Sequence, residues 1–345
     1  MQLLLIIIFL LSWTLTWGIK LYTSTHKIID NPNNRSSHVT PTPLGGGLAI
    51  VLSLALSLPF IYYNNLITFT EIIALGVAGS TIAFIGWLDD NANISIIYRS
   101  IMYCLASIWV LYWFDGMPTI TLWQWQLSAG LTTNILATLY LTWLINAYNF
   151  MDGIDGIAAI EAITTCVGAA IIYWLAGAHS LIAAPLLLAA AVAGFLYWNM
   201  PPARIFMGDA GSCFLGLMLG GLSIYAAKLN LIFFWSWLIL LSVFITDTTF
   251  TLSKRLLAGK KIYQAHRAHA YQHAAQKYSH FKVSISVFIF NIIWLLPLAC
   301  MVSLNKLTPF YGLLLAYVPI IAIAIYFKAG DDKMTSSQNH IIYDV

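Results

Sequence analysis

LTTNILATLYLTWLINAYNFMDGIDGIAAIEAITTCVGAAIIYWLA, residues 131–176, decides the fold. It contains two apolar runs, 131–147 and 157–176, and at their junction two asparagines and two aspartates recur at three-residue steps (Asn146, Asn149, Asp152, Asp155). A membrane-crossing helix takes about 20 predominantly apolar residues. Two such runs back to back predict two crossings with carboxylates kept at the turn.

The rest of the chain follows the same pattern. Its 345 residues are 60% hydrophobic and only 8% charged, with a mean hydropathy of +0.81, whereas soluble domains carry about 25% charged residues. Eleven segments meet or approach the spanning length: 3–17, 48–63, 72–88, 94–113, 131–147, 157–176, 181–198, 214–227, 231–252, 283–304 and 311–327. The expected fold is an all-α, polytopic integral membrane bundle of 10–11 spans. No repeat, low-complexity tract or linker divides it, so residues 1–345 read as one domain with a long polar loop at 253–282. The first segment lacks the basic n-region and small-residue cleavage site of a signal peptide and reads as a retained helix. Cys104, Cys166, Cys213 and Cys300 lie in or beside apolar stretches without CxxC spacing, which suits packing better than a disulfide or thiolate–metal site.

Lysine and arginine concentrate in loops that stay in the cytoplasm. With the N-terminus outside and the C-terminus cytoplasmic, the inner loops take Lys20, Lys27, Arg35, Arg204 and the basic residues of 254–282, leaving Lys228 and Lys306 outside. The same assignment puts Asp89, Asp90, Asp152, Asp155, Asp209 and Asp247 at inner helix ends. Acidic residues do not govern topology, so their sidedness needs a chemical cause.

Four inner loops carry that chemistry. In DNPNNRSSHVTPTPLGGGLAI (30–50), Arg35 and His38 precede three glycines that open a helix. Free N–H groups at a helix N-terminus attract phosphate, and Gly46 with its neighbours permits close approach; the same glycines also suit tight helix packing. In GWLDDNANIS (86–95), Asp89 and Asp90 point in different directions from one helix and should take different partners. In the 146–156 stretch, Gly153 and Gly156 should break the helix and turn the ladder into a loop edge. Ionisable groups at membrane depth are costly and mark function; an all-oxygen set suits Mg²⁺, with Mn²⁺ as a substitute. Glu161, about 7 to 8 Å deeper along the helix, should face the bundle interior. The fourth constellation joins RIFMGDAGS (204–212), with Asp209 between glycines, to HRAHAYQ (266–272) in the basic loop. His266, His269 and His273 would share one face of a helix, a spacing that could hold zinc, although no HExxH glutamate or nearby cysteine accompanies them.

RSSHVTPTPLGGG, GWLDD, NFMDGIDG, RIFMGDAGS and HRAHAYQ occur in the order seen in the polyprenyl-phosphate N-acetylhexosamine-1-phosphate transferases, and the resemblance covers most of the chain. Within that family the chain looks most similar to the branch that initiates O-antigen or capsule synthesis. It departs from the muramoyl-pentapeptide translocases, since the loop before PTPLGGG lacks their lysine and their histidine triplet is here His266, Arg267 and His269. The resemblance implies an enzyme of the bacterial inner membrane. It would move a sugar 1-phosphate from a UDP-N-acetylhexosamine, 6-deoxy amino sugars included, onto undecaprenyl phosphate and release UMP. Metal is expected at Asp209 with Asp152 or Asp155, and positioning or deprotonation of the carrier phosphate at Asp90 with Asp89. Arg267 and His269 should hold the nucleotide diphosphate, with Arg35 and His38 as candidates for the carrier phosphate. Gly46, Asn146, Asn149, Glu161 and His266 complete the expected substrate contacts. A homodimer is compatible with this reading, and nucleic acid is not an expected partner. A transporter is the rival class, because intramembrane carboxylates also relay ions, but its charges belong near the bilayer midplane and these gather at one face.

Overall fold

The computed structural model describes residues 1–32, 40–92, 94–261 and 266–331. The chain is helical nearly throughout. Helices α1 (Gln2–Thr25) and α2 (Gly47–Tyr63) are followed by α3 (Phe69–Glu71), which runs through a π-helical stretch, Ile72–Val77, into α4 (Ala78–Ala92). Then come α5 (Ile96–Trp113), α6 (Leu131–Met151), α7 (Ile157–Leu175), α8 (Ala183–Asn199) and α9 (Asp209–Leu229). Helices α10 (Leu231–Leu240) and α11 (Ser242–Leu257) meet at a 67° bend. The short α12 (Ala270–Lys277) leads to α13 (His280–Phe290), which continues through a second π-helical turn, Asn291–Leu295, into α14 (Leu296–Ser303); α15 (Pro309–Tyr326) closes the described chain. Two small hairpins, Ile29–Asp30 with Thr42–Pro43 and Ile120–Leu122 with Trp125–Leu127, are the strands among the described residues.

By length and apolarity eight of these helices could cross a membrane, or nine if the bent α10–α11 pair is one span. Among the described residues this measure does not reach the 10–11 spans expected from sequence. Segment 48–63 becomes α2, only 17 residues long. Segment 131–147 becomes α6, long enough at 21 residues but interrupted by threonines and asparagines that dilute its hydropathy.

Helix α9 is the hub, 89% buried along its span. Small residues let its neighbours approach at backbone distance. A Cβ on Gly86 of α4 would stand 2.5 Å from the Asp209 carbonyl, one on Gly216 would meet Leu144 and Ile145 of α6 at 2.7 Å, and Gly47 of α2 touches Gly211. Helices α4 and α6 therefore lie along α9, and their last turns arrive at its first. That packing, rather than any local motif, brings Asp89, Asp90 and Asp152 to Asp209.

Candidate active site

Asp90 sits over the start of α9 and accepts N–H donation from Asp209 (3.0 Å) and Ala210 (3.4 Å), a carboxylate placed at the positive end of a helix. Gly208 permits this: its φ is +77°, and a Cβ there would lie 2.6 Å from the Asp90 Oδ2. The adjacent Asp89 takes other partners, accepting from the Ile94 N–H (2.7 Å) and pairing with the Arg99 guanidinium. Arg99 also reaches Asp209 Oδ2 at 2.9 Å, so one cation ties the ends of α4 and α9 together.

Asp152 differs from all of these. It caps the C-terminus of α6, in the turn that Gly153 opens, and among the described residues no donor meets its carboxylate. Burial first, then the charges of Asp209, Asp90 and Asp155, push its pKa well above the ordinary range. The donor set fits a hard divalent ion, because Mg²⁺ takes one or two carboxylates and fills its remaining positions with substrate phosphates and water. Among the described residues no three His, Cys, Asp or Glu side chains form a ready-made metal cage. Asp152 and Asp209 are the residues that would hold the ion.

Asp155, expected alongside them as a metal ligand, has both oxygens engaged: Oδ2 accepts from the Ala203 N–H (3.0 Å) and Oδ1 lies 3.2 Å from His280 Nδ1. It fastens the turn after α6 to α13, where Ser284 Oγ also donates to the Asp155 carbonyl (2.8 Å). Asn149 Nδ2 donates to Ser212 Oγ at 3.3 Å, facing α9, while Asn146 bonds back to the Thr142 carbonyl within its own helix.

The 266–272 stretch docks through Asp247, a buried carboxylate on α11. It accepts from the N–H groups of Ala270 (3.0 Å) and Tyr271 (2.9 Å) and from Thr251 Oγ1 (3.0 Å), with His269 Nδ1 at 3.2 Å. Tyr271 then donates from its hydroxyl to the Phe150 carbonyl (2.9 Å), two residues from Asp152. The His266 ring stacks 5.1 Å from that of His269, and Arg267 is half-buried beside them. Replacing Asp247 by Asn removes a charge-assisted acceptor, which costs about 1.5–3 kcal/mol. Amide exchange at Ala270 and Tyr271 should accelerate accordingly, and unchanged exchange would show that the docking has another source.

Several expectations are corrected by this geometry. Gly46 does not offer its N–H to phosphate: it donates to the Phe206 carbonyl, and Gly47 to that of Met207, both at 2.8 Å. The glycines serve packing. Glu161 is fully buried and accepts from Asn291 Nδ2 at 2.6 Å, deep in the bundle, so it does not contact a dissolved sugar nucleotide. The three histidines share no helical face, because α12 begins only at Ala270; His269 faces Asp247, and His273 Nδ1 lies 2.7 Å from the Phe327 carbonyl. Arg35 and His38 lie outside the described residues. The sequence reading set Asp247 at an inner helix end without giving it a role, and gave none to Arg99, Tyr271 or His280. Arg99, an arginine one turn inside an apolar helix, was the signal available for the first of these.

A membrane-type helical bundle whose end gathers carboxylates around Asp152, flanked by arginine and histidine, is the class of protein that the fold and site define. Comparison with known proteins narrows the class. Residues 72–227 match the family model described as glycosyl transferase family 4. The chain is 28% identical over 305 residues to a probable undecaprenyl-phosphate N-acetylglucosaminyl 1-phosphate transferase of Bacillus subtilis, covering 86% of this chain and 83% of that protein. It is 37% identical over 221 residues to the decaprenyl-phosphate N-acetylglucosaminephosphotransferase of Mycolicibacterium smegmatis, covering 57% of this chain and 52% of that one. It is 27% identical over 246 residues to a phospho-N-acetylmuramoyl-pentapeptide-transferase of Streptococcus pneumoniae, covering 66% and 72%. These likenesses all point to the polyprenyl-phosphate N-acetylhexosamine-1-phosphate transferases as the proteins this chain is similar to.

Proposed function

We propose that this protein transfers a sugar 1-phosphate from a UDP-N-acetylhexosamine to undecaprenyl phosphate, releasing UMP, and thereby starts a lipid-linked O-antigen or other surface polysaccharide. The observation that carries the reading is Asp152, a carboxylate without a donor, set among Asp90, Asp155 and Asp209 beside an apolar groove. That groove, about 620 Å³, is lined by Met151, Val243, Phe281, Val287 and Ile320 and reaches Asp247 and Tyr271. Its lining suits a polyprenyl chain whose phosphate ends at the carboxylate cluster.

Both substrates are anions, and the second pKa of a phosphate monoester is near 6, so the lipid phosphate is already a nucleophile at neutral pH. The obstacle is charge. Mg²⁺ held by Asp152 and Asp209 would supply charge neutralisation for the two anionic substrates. Arg99 offsets Asp89 and Asp209 and keeps the acidic ends of α4 and α9 together, while Asp90 fixes where α9 begins. Arg267 and His266, held at the site by the Asp247 clamp on His269 and Tyr271, are placed to receive the nucleotide's phosphates; a planar guanidinium suits two phosphate oxygens at once. The phosphate oxygen of the lipid forms the new P–O bond to the sugar-bearing phosphorus as the P–O bond to UMP breaks.

Purified protein with undecaprenyl phosphate and a panel of UDP-sugars should release UMP with one N-acetylhexosamine donor, only when Mg²⁺ or Mn²⁺ is present. No release with any donor would overturn the assignment. The basic loops support a site on the cytoplasmic face. An impermeant thiol reagent should therefore miss a cysteine at Ala258, exposed at the end of α11, in intact cells and label it after lysis.

A further inference from the structure

Glu161 is left without a role once its substrate contact is discarded, yet it is the carboxyl group set deepest inside α7. Its partner is Asn291, at the π-helical turn between α13 and α14. The amide's two hydrogens are both engaged: Nδ2 donates to Glu161 Oε2 at 2.6 Å and to Thr164 Oγ1 at 2.8 Å. Glu161 Oε1 and Asn291 Oδ1 are both buried with no partner. Two buried acceptors on this bonded pair thus lack a hydrogen. Thr164 cannot supply one, because its hydroxyl already donates to the Ile160 and Glu161 carbonyls. Tyr148 on α6 interacts electrostatically with Glu161, but its buried hydroxyl has no hydrogen-bond partner. Cys166, on α7 itself, and Tyr140, on α6, are the other titratable groups that act on Tyr148. Among the described residues no Lys, Arg or His forms an ion pair with Glu161. A single added proton would satisfy both orphaned acceptors.

We infer that Glu161 carries a proton, donated from Oε1 to Asn291 Oδ1, and that this neutral acid–amide pair fixes the register of α13 against α7 and so holds His280 and Ser284 on Asp155. The geometry of α13 links the two ends. His280, Ser284 and Asn291 stand at i, i+4 and i+11, one stripe of a helix, with Asn291 about 16 Å from His280 along the axis. The upper part of that stripe grips the turn holding Asp152 and Asp155; the lower part ends at Glu161. Helix α13 also lines the apolar groove, through Phe281, Val287 and Phe290. Glu161 is a positioning residue, acting through α13 on the turn between α6 and α7.

An infrared difference spectrum, wild type minus Glu161→Gln, should contain the C=O stretch of a protonated carboxylic acid, shifted in D₂O and unchanged across neutral pH. Glu161→Gln preserves a neutral pair with Asn291 and should keep kcat/KM within about threefold, as near-isosteric substitutions do. Glu161→Leu should raise KM for the nucleotide about tenfold with a smaller change in kcat. Absence of the protonated band, or a folded Glu161→Gln protein that no longer turns over, would overturn the inference. Only the kinetic arm rests on the transferase reading: if wild type released no UMP that reading would fail, while the spectrum would still report the proton.

Discussion

Replacing Asp152 by Asn lowers sugar-phosphate transfer by on the order of a thousandfold, the scale of losing one preorganised electrostatic partner of the reacting centre, and leaves the fold intact. The reason lies in what Asp152 does not do. Asp89, Asp90, Asp155, Asp209 and Asp247 each hold a backbone N–H or a cationic side chain, so neutralising any of them disturbs packing as well as chemistry. Among the described residues Asp152 has no such partner, and its carboxamide keeps the same volume. The variant should also relieve repulsion with Asp209, Asp90 and Asp155, so its Tm should equal or exceed that of wild type while UMP release collapses. Purified protein assayed across a Mg²⁺ titration, with Tm followed in parallel, distinguishes the outcomes. Retained turnover at ordinary Mg²⁺ would remove Asp152 from the site, and a fall in Tm together with activity would make it structural.

The second large effect is expected at a residue with no chemistry of its own. A methyl group at Gly86 would sit 2.5 Å from the Ala210 nitrogen and from the Asp209 carbonyl. These are backbone atoms of a buried helix start and cannot rotate away. Gly86→Ala therefore separates α4 from α9, and overpacking of this kind costs about 1–3 kcal/mol. The functional loss should exceed that figure, because the displaced segment ends in Asp89 and Asp90, whose contacts to Arg99, Asp209 and Ala210 depend on the approach. Transfer should fall at least as far as in Asp152→Asn, accompanied by a lower Tm. Normal activity in Gly86→Ala would show that α4 and α9 can part without cost to the site. Gly18 is the natural control: it sits in the first helix with open space where its Cβ would go, and Gly18→Ala should change neither quantity.

The helical bundle was legible because apolar runs record it directly, and the break at Gly153 and Gly156 was legible because glycine interrupts a helix. The different partners of Asp89 and Asp90 followed from helical geometry alone. What could not be read were contacts between distant segments. Gly46 and Gly47 have the composition of a phosphate-binding turn, but their N–H groups go to carbonyls of residues 206 and 207, a pairing that nothing in the local pattern records. The same holds at α9 and α12, whose exposed N–H groups are taken by Asp90 and Asp247. Helix starts that look open to anions in sequence are closed from within. His269 illustrates the complementary case: its spacing suggested a ligand, whereas its burial against Asp247 makes it a fastening.

The position of α9 also governs the order in which the protein is built. Asp89 finds Arg99 only 10 residues away, so those two opposite charges enter the bilayer together as neighbours. Asp90 must wait for the backbone of Asp209, 119 residues later, by which time several hydrophobic helices have left the ribosome. Until then the unmatched carboxylate remains at the membrane surface, and the Asp90 contacts cannot form before α9 inserts. A nascent chain stalled before residue 209 therefore has a bundle but no centre, and an N-terminal fragment ending there is inert however well it inserts. Supplying the remainder as a separate polypeptide could restore turnover only if α9 packs between α4 and α6, which makes split-protein complementation a direct assay of how late the centre closes.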